Sequence, residues 1–264
     1  MVGFMAEEME KEVSGLALLR QPATAALARY LNDLRSTLGF QAYLWQLIVK
    51  VDYDLGNSAE IPRSSDLPPS DGAVAQMEIH SAILDEMLFC RGVNSFLTYL
   101  ADLMTLIYEK YPQKLPSNKQ TTYRFSIEHH LARDLISALA EETVLELTHQ
   151  NLADLAKYFE KNLDLVLFAK DTHAENAALC VDIRNLITHN RGIVNRFFLR
   201  RNPRFADDLG KRAVLGEKDR QEMLSTLGYC ARQLDLRAIK KFALETIQPE
   251  FQESTEPAPS DGAA

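Results

Sequence analysis

Glycine is absent between Gly92 and Gly192, and proline between Pro116 and Pro203. Sheets need turns and turns draw on those two residues, so so long a stretch without them excludes a β-rich fold and predicts helices. Three cysteines, Cys90, Cys180 and Cys230, are too few and too widely spaced for a zinc site or a disulfide framework. They read as small buried apolar side chains in a reducing compartment. No apolar run approaches eighteen residues, and even Phe96 to Tyr108 is broken by Asp102, so no transmembrane helix and no membrane partner are expected. Met1 to Val13 is rich in glutamate and lacks the basic start and apolar core of a secretory signal, which makes the expected location cytoplasmic. Also missing are a phosphate-cradling glycine loop, a Gly-x-Ser-x-Gly elbow, a His-Glu-x-x-His helix and a Cys-x-x-Cys pair. Their absence removes most nucleotide-hydrolase, esterase and metalloprotease readings. A net charge of -8 argues against coating nucleic acid with the whole surface, though not against a local basic patch.

What is present is an all-α pattern. With 264 residues, 46% hydrophobic and 25% charged, the chain is large enough to bury a core and has the balance of an ordinary soluble protein. Apolar residues at steps of three and four from Ala23 to Val51 predict one long helix or a pair broken at Gly39, with the lone Trp45 in the core. Val93 to Tyr111 makes a second apolar face, stopped by Pro112, and helices follow over 127–147, 151–161 and 174–190. Arg196 to Phe205 reads as an ordered loop, and a last helix runs from about Asp219 to Thr246 before Pro249. The expected organisation is an N-terminal helical segment, 1–55, packing on the core; a Pro/Ser-rich loop, 56–72; a helical domain, 73–248; and a disordered tail, 249–264. Asp52-Tyr53-Asp54-Leu55-Gly56 lacks the ligand order of a calcium loop. Glu128-His129-His130 with Asp134 reads as a solvated helix face, since adjacent helical residues point about 100° apart. No metal and no cofactor are expected.

One stretch, Asp182 to Asn195, differs in kind. It gathers Arg184, Asn185, His189, Asn190 and Asn195 around an apolar stripe of Ile183, Leu186, Ile187, Ile193 and Val194. On an ideal helix Arg184 and His189 stand about 140° apart, flanking the stripe on opposite sides. A shared site therefore needs distortion near Gly192 or the same stretch of a second copy across a two-fold axis. Cleaving a phosphodiester without a metal asks for a base at the 2′-hydroxyl, an acid at the leaving 5′-oxygen and a cation over the phosphorane. One copy offers a single histidine here; a dimer offers two. Six arginines and one acid lie between Asp182 and Arg204 in an otherwise acidic chain. Of these, Arg191, Arg196, Arg200 and Arg201, with the aromatic Phe197, are the candidates for gripping single-stranded RNA. Each residue also has a plain role available: Arg184 in a salt bridge, His189 at a helix C-terminus, and Asn190 with Gly192 as a helix stop.

Arg184, Asn185 and His189 match the motif of the HEPN domains (higher eukaryotes and prokaryotes nucleotide-binding): an arginine, often followed by a polar residue, then a histidine after four to six residues. The continuation Asn190-Arg191-Gly192-Ile193-Val194-Asn195 resembles that of bacterial members related to abortive infection proteins. The likeness spans about Ala73 to Phe242 in helical layout. It implies a bundle that dimerises through the motif helices, with metal-independent endoribonuclease activity in phage defence, toxin or stress systems and a 2′,3′-cyclic phosphate product. Carried over, Arg184 would stabilise the phosphorane, His189 would act as acid or base, and Asn185 would position them. A regulatory or antitoxin protein is an implied further partner. Members modified by a nucleotidyltransferase carry tyrosine two residues after the histidine; Arg191 stands there, so that mechanism is not expected. A non-catalytic helical interaction module and a nucleotide-sensing regulator remain the alternatives.

Overall fold

The computed structural model describes residues 21–55, 73–116, 132–148, 151–213 and 215–248. Among them the chain is mostly helical: α1 (Ala25–Leu55), α2 (Ala73–Lys110), α3 (Ala132–Thr148), α4 (Leu152–Tyr158), α5 (Asp171–Asn190), α6 (Arg196–Arg201) and α7 (Glu217–Phe242). Strand-like pairing among the described residues is confined to two isolated bridges, Ala23 with Ile247 and Ile193 with Arg212. No described helix is long and apolar enough to cross a membrane.

The inner half of α2 is the centre of the molecule. Phe89, Val93, Phe96, Leu100, Leu103 and Ile107 recur at helical spacing and are almost wholly buried. α1, α3, α5 and α7 pack around this face. Gly92 makes room for the Leu224 side chain of α7, whose Cδ2 would stand 2.7 Å from a Cβ there. Buried tyrosines tie neighbours by their hydroxyls: Tyr99 donates to the Ala231 carbonyl of α7 at 2.9 Å, and Tyr108 shares a 2.6 Å bond with Tyr158 of α4. Pro112 follows the end of α2, as its missing N–H requires.

α1 starts at a buried polar clasp. The Thr24 hydroxyl accepts the Leu27 N–H at 3.2 Å, capping the helix, and donates to Asp235 of α7 at 2.5 Å, while the Thr24 N–H reaches the other carboxylate oxygen at 3.0 Å. This clasp, with the Ala23–Ile247 bridge, joins the two ends of the described chain.

Of the two readings of the first segment, one long helix or a pair broken at Gly39, the first holds, since α1 is continuous through Gly39. Other expectations change. Only the first turns of α1 enter the core; Trp45 is half-buried on the outer half, because α1 and α2 continue past the point where the other described helices cover them. The basic segment is not a loop but α6 followed by a 3-10 turn over Pro203–Asp208. α7 ends at Phe242, with Ala243 left-handed, and does not reach Thr246. Glu128-His129-His130, the 56–72 loop and the 249–264 tail lie outside the described residues, as do the side chains of Asp52, Asp54 and Asp134.

Burial pushes the Asp235 carboxyl above the ordinary carboxylate range, outweighing the Thr24 bonds and the nearby Arg232 charge. The folded chain therefore holds this proton more tightly than the unfolded chain does. The resulting stabilisation is full below an ordinary aspartate pKa of about 4 and is lost as pH rises through the raised value. Denaturation midpoints followed upward from about pH 4 should fall less steeply in Asp235→Asn than in the parent.

Candidate functional site

The stretch singled out above forms the second half of α5 and the turn beyond it. Asp182, Ile183 and Leu186 are buried, which fixes the helix's rotation and places Arg184 toward α2. Arg184 Nε donates to Asn94 Oδ1 and Nη1 donates to Asn185 Oδ1, each at 2.7 Å. Its guanidinium is thus aimed by two neutral amides. Thr188 donates to the Arg184 carbonyl at 2.8 Å. Cys90, one turn before Asn94 on α2, lies beside them. Burial pushes its thiol above the ordinary range, with the Thr188 hydroxyl and the Arg184 charge opposing, so it is no ready nucleophile.

Arg184 is held by amides alone, whereas five other described arginines are ion-paired. Arg29 pairs with Asp102, Arg91 with Asp33, Arg201 with Asp182, Arg212 with Glu86 and Arg220 with Asp85. Among the described residues Arg184 has no ion pair. Its Nη2 makes no hydrogen bond to a described residue.

His189 occupies the last turn of α5, and its exposed side chain makes no hydrogen bond or ion pair with any described residue. The helix is regular from Arg184 through His189 and is interrupted only afterwards. Arg191 and Gly192 are both left-handed, with φ of 54° and 74°, and both N–H groups turn back to the Leu186 carbonyl. Gly192 suits that conformation, and a Cβ would sit 3.4 Å from Arg212. Because the irregularity follows His189, it cannot bring the histidine to Arg184 within one chain.

Beyond the turn, Val194 and Gly192 pair with Lys211, Gly210 and Ala213 by backbone bonds of 2.8–2.9 Å. The basic segment is thereby closed off as an excursion between residues 194 and 210. Asn195 caps α6 through a 2.9 Å bond from the Phe198 N–H, and Asn190 donates to the Ile193 carbonyl. Both amides, expected to support the site, are occupied in holding the backbone. Buried Asp182 anchors the excursion, pairing with Arg201 at 3.0 Å and accepting from Asn202 at 2.9 Å. Phe198 is buried against Phe205. Arg191, Arg196 and Arg200 are left exposed, with Phe197 65% exposed beside them and Arg200 5.9 Å from its ring centre.

The structure also supplies a partner the sequence reading missed. Asn94 orients Arg184 from 90 residues away in sequence, and no local pattern announces it. It also lines an open groove of 410 Å³ between α1 and α2, whose walls carry the Arg29–Asp102 and Arg91–Asp33 pairs. Metal-ligating clusters of three or more His, Cys, Asp or Glu do not occur among the described residues.

No family model matches this chain, and no curated protein or solved structure is similar to it.

A non-glycine residue in the left-handed region costs on the order of 1 kcal/mol. Arg191→Gly should therefore raise the thermal midpoint by a few degrees. An unchanged or lowered midpoint in a melting experiment would mean that Arg191 makes compensating contacts.

Proposed function

We propose that this chain is a HEPN-like, metal-independent endoribonuclease whose site combines Arg184 and His189 from two copies. The observation that carries the reading is the half-buried Arg184 guanidinium, aimed by Asn94 and Asn185 and paired with no carboxylate among the described residues. A planar fork with free Nη2 hydrogens suits a phosphate oxygen, and best of all the extra charge of a phosphorane. His189 supplies the titratable group. With two copies, one imidazole removes the 2′-hydroxyl proton as that oxygen attacks phosphorus. The other imidazole protonates the departing 5′-oxygen, leaving a 2′,3′-cyclic phosphate and a 5′-hydroxyl. Arg191, Arg196 and Arg200 give the substrate's neighbouring phosphates a cationic track, and exposed Phe197 gives a base something to stack on. Arg201, spent on Asp182, contributes to the fold of that track more than to its charge.

Purified protein incubated with single-stranded RNA in chelator should produce fragments ending in cyclic phosphate. Arg184→Ala and His189→Ala should each lower the rate by at least about a hundredfold with the fold intact. Asn94→Ala should lower it about tenfold by releasing the guanidinium, whereas Arg196→Ala with Arg200→Ala should weaken binding and flatten its salt dependence. Equal cleavage by parent and both site variants would sink the proposal. Thermal stabilisation by a mononucleotide without cleavage would favour the sensing alternative.

A further inference from the structure

Past the core, the outer half of α1 and the first half of α2 extend beyond the other described helices as a two-helix arm. Hydrophobic side chains do not disappear from it. On α2, Ile79, Ile83 and Met87 recur every four residues and are 53–64% exposed. On α1, Phe40, Tyr43 and Leu47 form one exposed stripe, and Leu38 and Val49 form another on the opposite side, by the 100° helical step. The face between these stripes meets α2, where Gln41 donates to Asp85 at 3.2 Å. The arm is thus amphipathic toward neither side, which is the pattern of helices meant to be covered.

We infer that this arm is a dimer interface, covered by the arm of a second copy of the same chain. Two arguments favour a second copy. The first is area. Leu38 and Val49, on the far side of α1, stay outside the interface. The other six side chains, about half exposed and each on the order of 200 Å² when free, present roughly 600 Å². That is at the top of what monomers commonly expose and at the low end of one partner's share of a stable interface. The Phe40 and Ile79 stripes keep i, i+3 and i, i+4 spacing on antiparallel helices, so two hairpins related by a two-fold axis pack these stripes against each other as a four-helix bundle.

The second argument is continuity. Ile79, Ile83 and Met87 lead along the same face of α2 to Arg91 and Asn94, and Asn94 holds Arg184. α5 runs antiparallel to this part of α2: Arg184 lies against Asn94, and the Gly192 turn lies against Glu86, which accepts two bonds from Arg212 at 2.6–2.8 Å. A copy seated on the arm therefore lies beside the His189 end of α5. This last point alone rests on the ribonuclease reading; the exposed stripes do not.

The test is the mass of the full chain in solution by sedimentation or light scattering. The parent should run near twice 29.8 kDa. Tyr43→Glu with Ile83→Glu puts charges on positions already exposed in the single chain and keeps good helix formers, so circular dichroism should not change. That variant should run as one chain or dissociate at least tenfold more readily. Arg196→Ala with Arg200→Ala, on the cationic surface, should remain dimeric. A parent that runs as a single chain overturns the inference and leaves the arm to a different protein. A Tyr43→Glu, Ile83→Glu variant as dimeric as the parent overturns it too. RNA cleavage is read separately: a parent that dimerises through the arm but never cuts RNA sinks the ribonuclease reading alone. An arm variant that stays dimeric and cuts normally sinks the interface alone.

Discussion

The inner half of α2 must be covered on all sides, and most of the architecture follows from that. Phe96, Leu100, Leu103 and Ile107 leave no exposed flank, so α1, α3, α5 and α7 are each held against the same helix. Burial of this kind is non-directional, which is why directional contacts complete it. Tyr99 reaches a carbonyl of α7, Tyr108 reaches Tyr158, and Thr24 clasps Asp235. The same constraint sets the site. α5 lies beside α2 because Ile183 and Leu186 are drawn into the core, and Arg184, one position off that face, then meets Asn94.

Charge is distributed by a different rule. The ion pairs Arg29–Asp102, Arg91–Asp33, Arg212–Glu86 and Arg220–Asp85 join elements distant in sequence and sit at or near the surface, where each contributes little to stability but fixes registration. Asp182 is the exception, buried and holding the basic excursion through Arg201 and Asn202. Arg232 is a second exception. It is buried with Nε and Nη1 lacking a hydrogen-bond partner, and burial lowers its pKa while the Asp235 charge opposes this. A cation so placed is tolerable because its counter-charge is equally buried one turn away. Arg184 is oriented by two amides and neutralised by no described carboxylate.

The helices themselves were legible in the sequence where a periodic apolar face coincided with a stop signal. Val93 to Tyr111 ending at Pro112 is the clearest case. Legibility failed where tertiary context decides. The spacing of Leu38, Tyr43 and Trp45 reads as core, yet periodicity says only that a face is apolar, not that anything covers it. The basic segment carries Asn202-Pro203 and four arginines among its apolar residues, so it resembles a loop; its short helix depends on the Asn195 cap and on Phe198 being buried against Phe205. At the site, Arg184, Asn185 and His189 were visible as a local motif. Asn94 was not, because a side chain that acts across two packed helices leaves no trace in the spacing of either.

The arrangement of α5 also narrows how its motif can act. Residues five apart on a regular helix differ by about 140° in direction and 7.5 Å along the axis. A bend between them would close that gap, and the left-handed turn at Arg191 and Gly192 is the obvious place to look for one. It comes too late, after both residues have been set by unbroken helix. Arg184 faces Asn94 across α2, whereas His189 stands free at the helix end. If both act on one phosphate, they do so from different copies, which makes the geometry of association part of the chemistry. On the ribonuclease reading, a surface that brings two α5 ends together is a requirement of catalysis rather than an accessory to it, and the proposed arm interface lies beside that end.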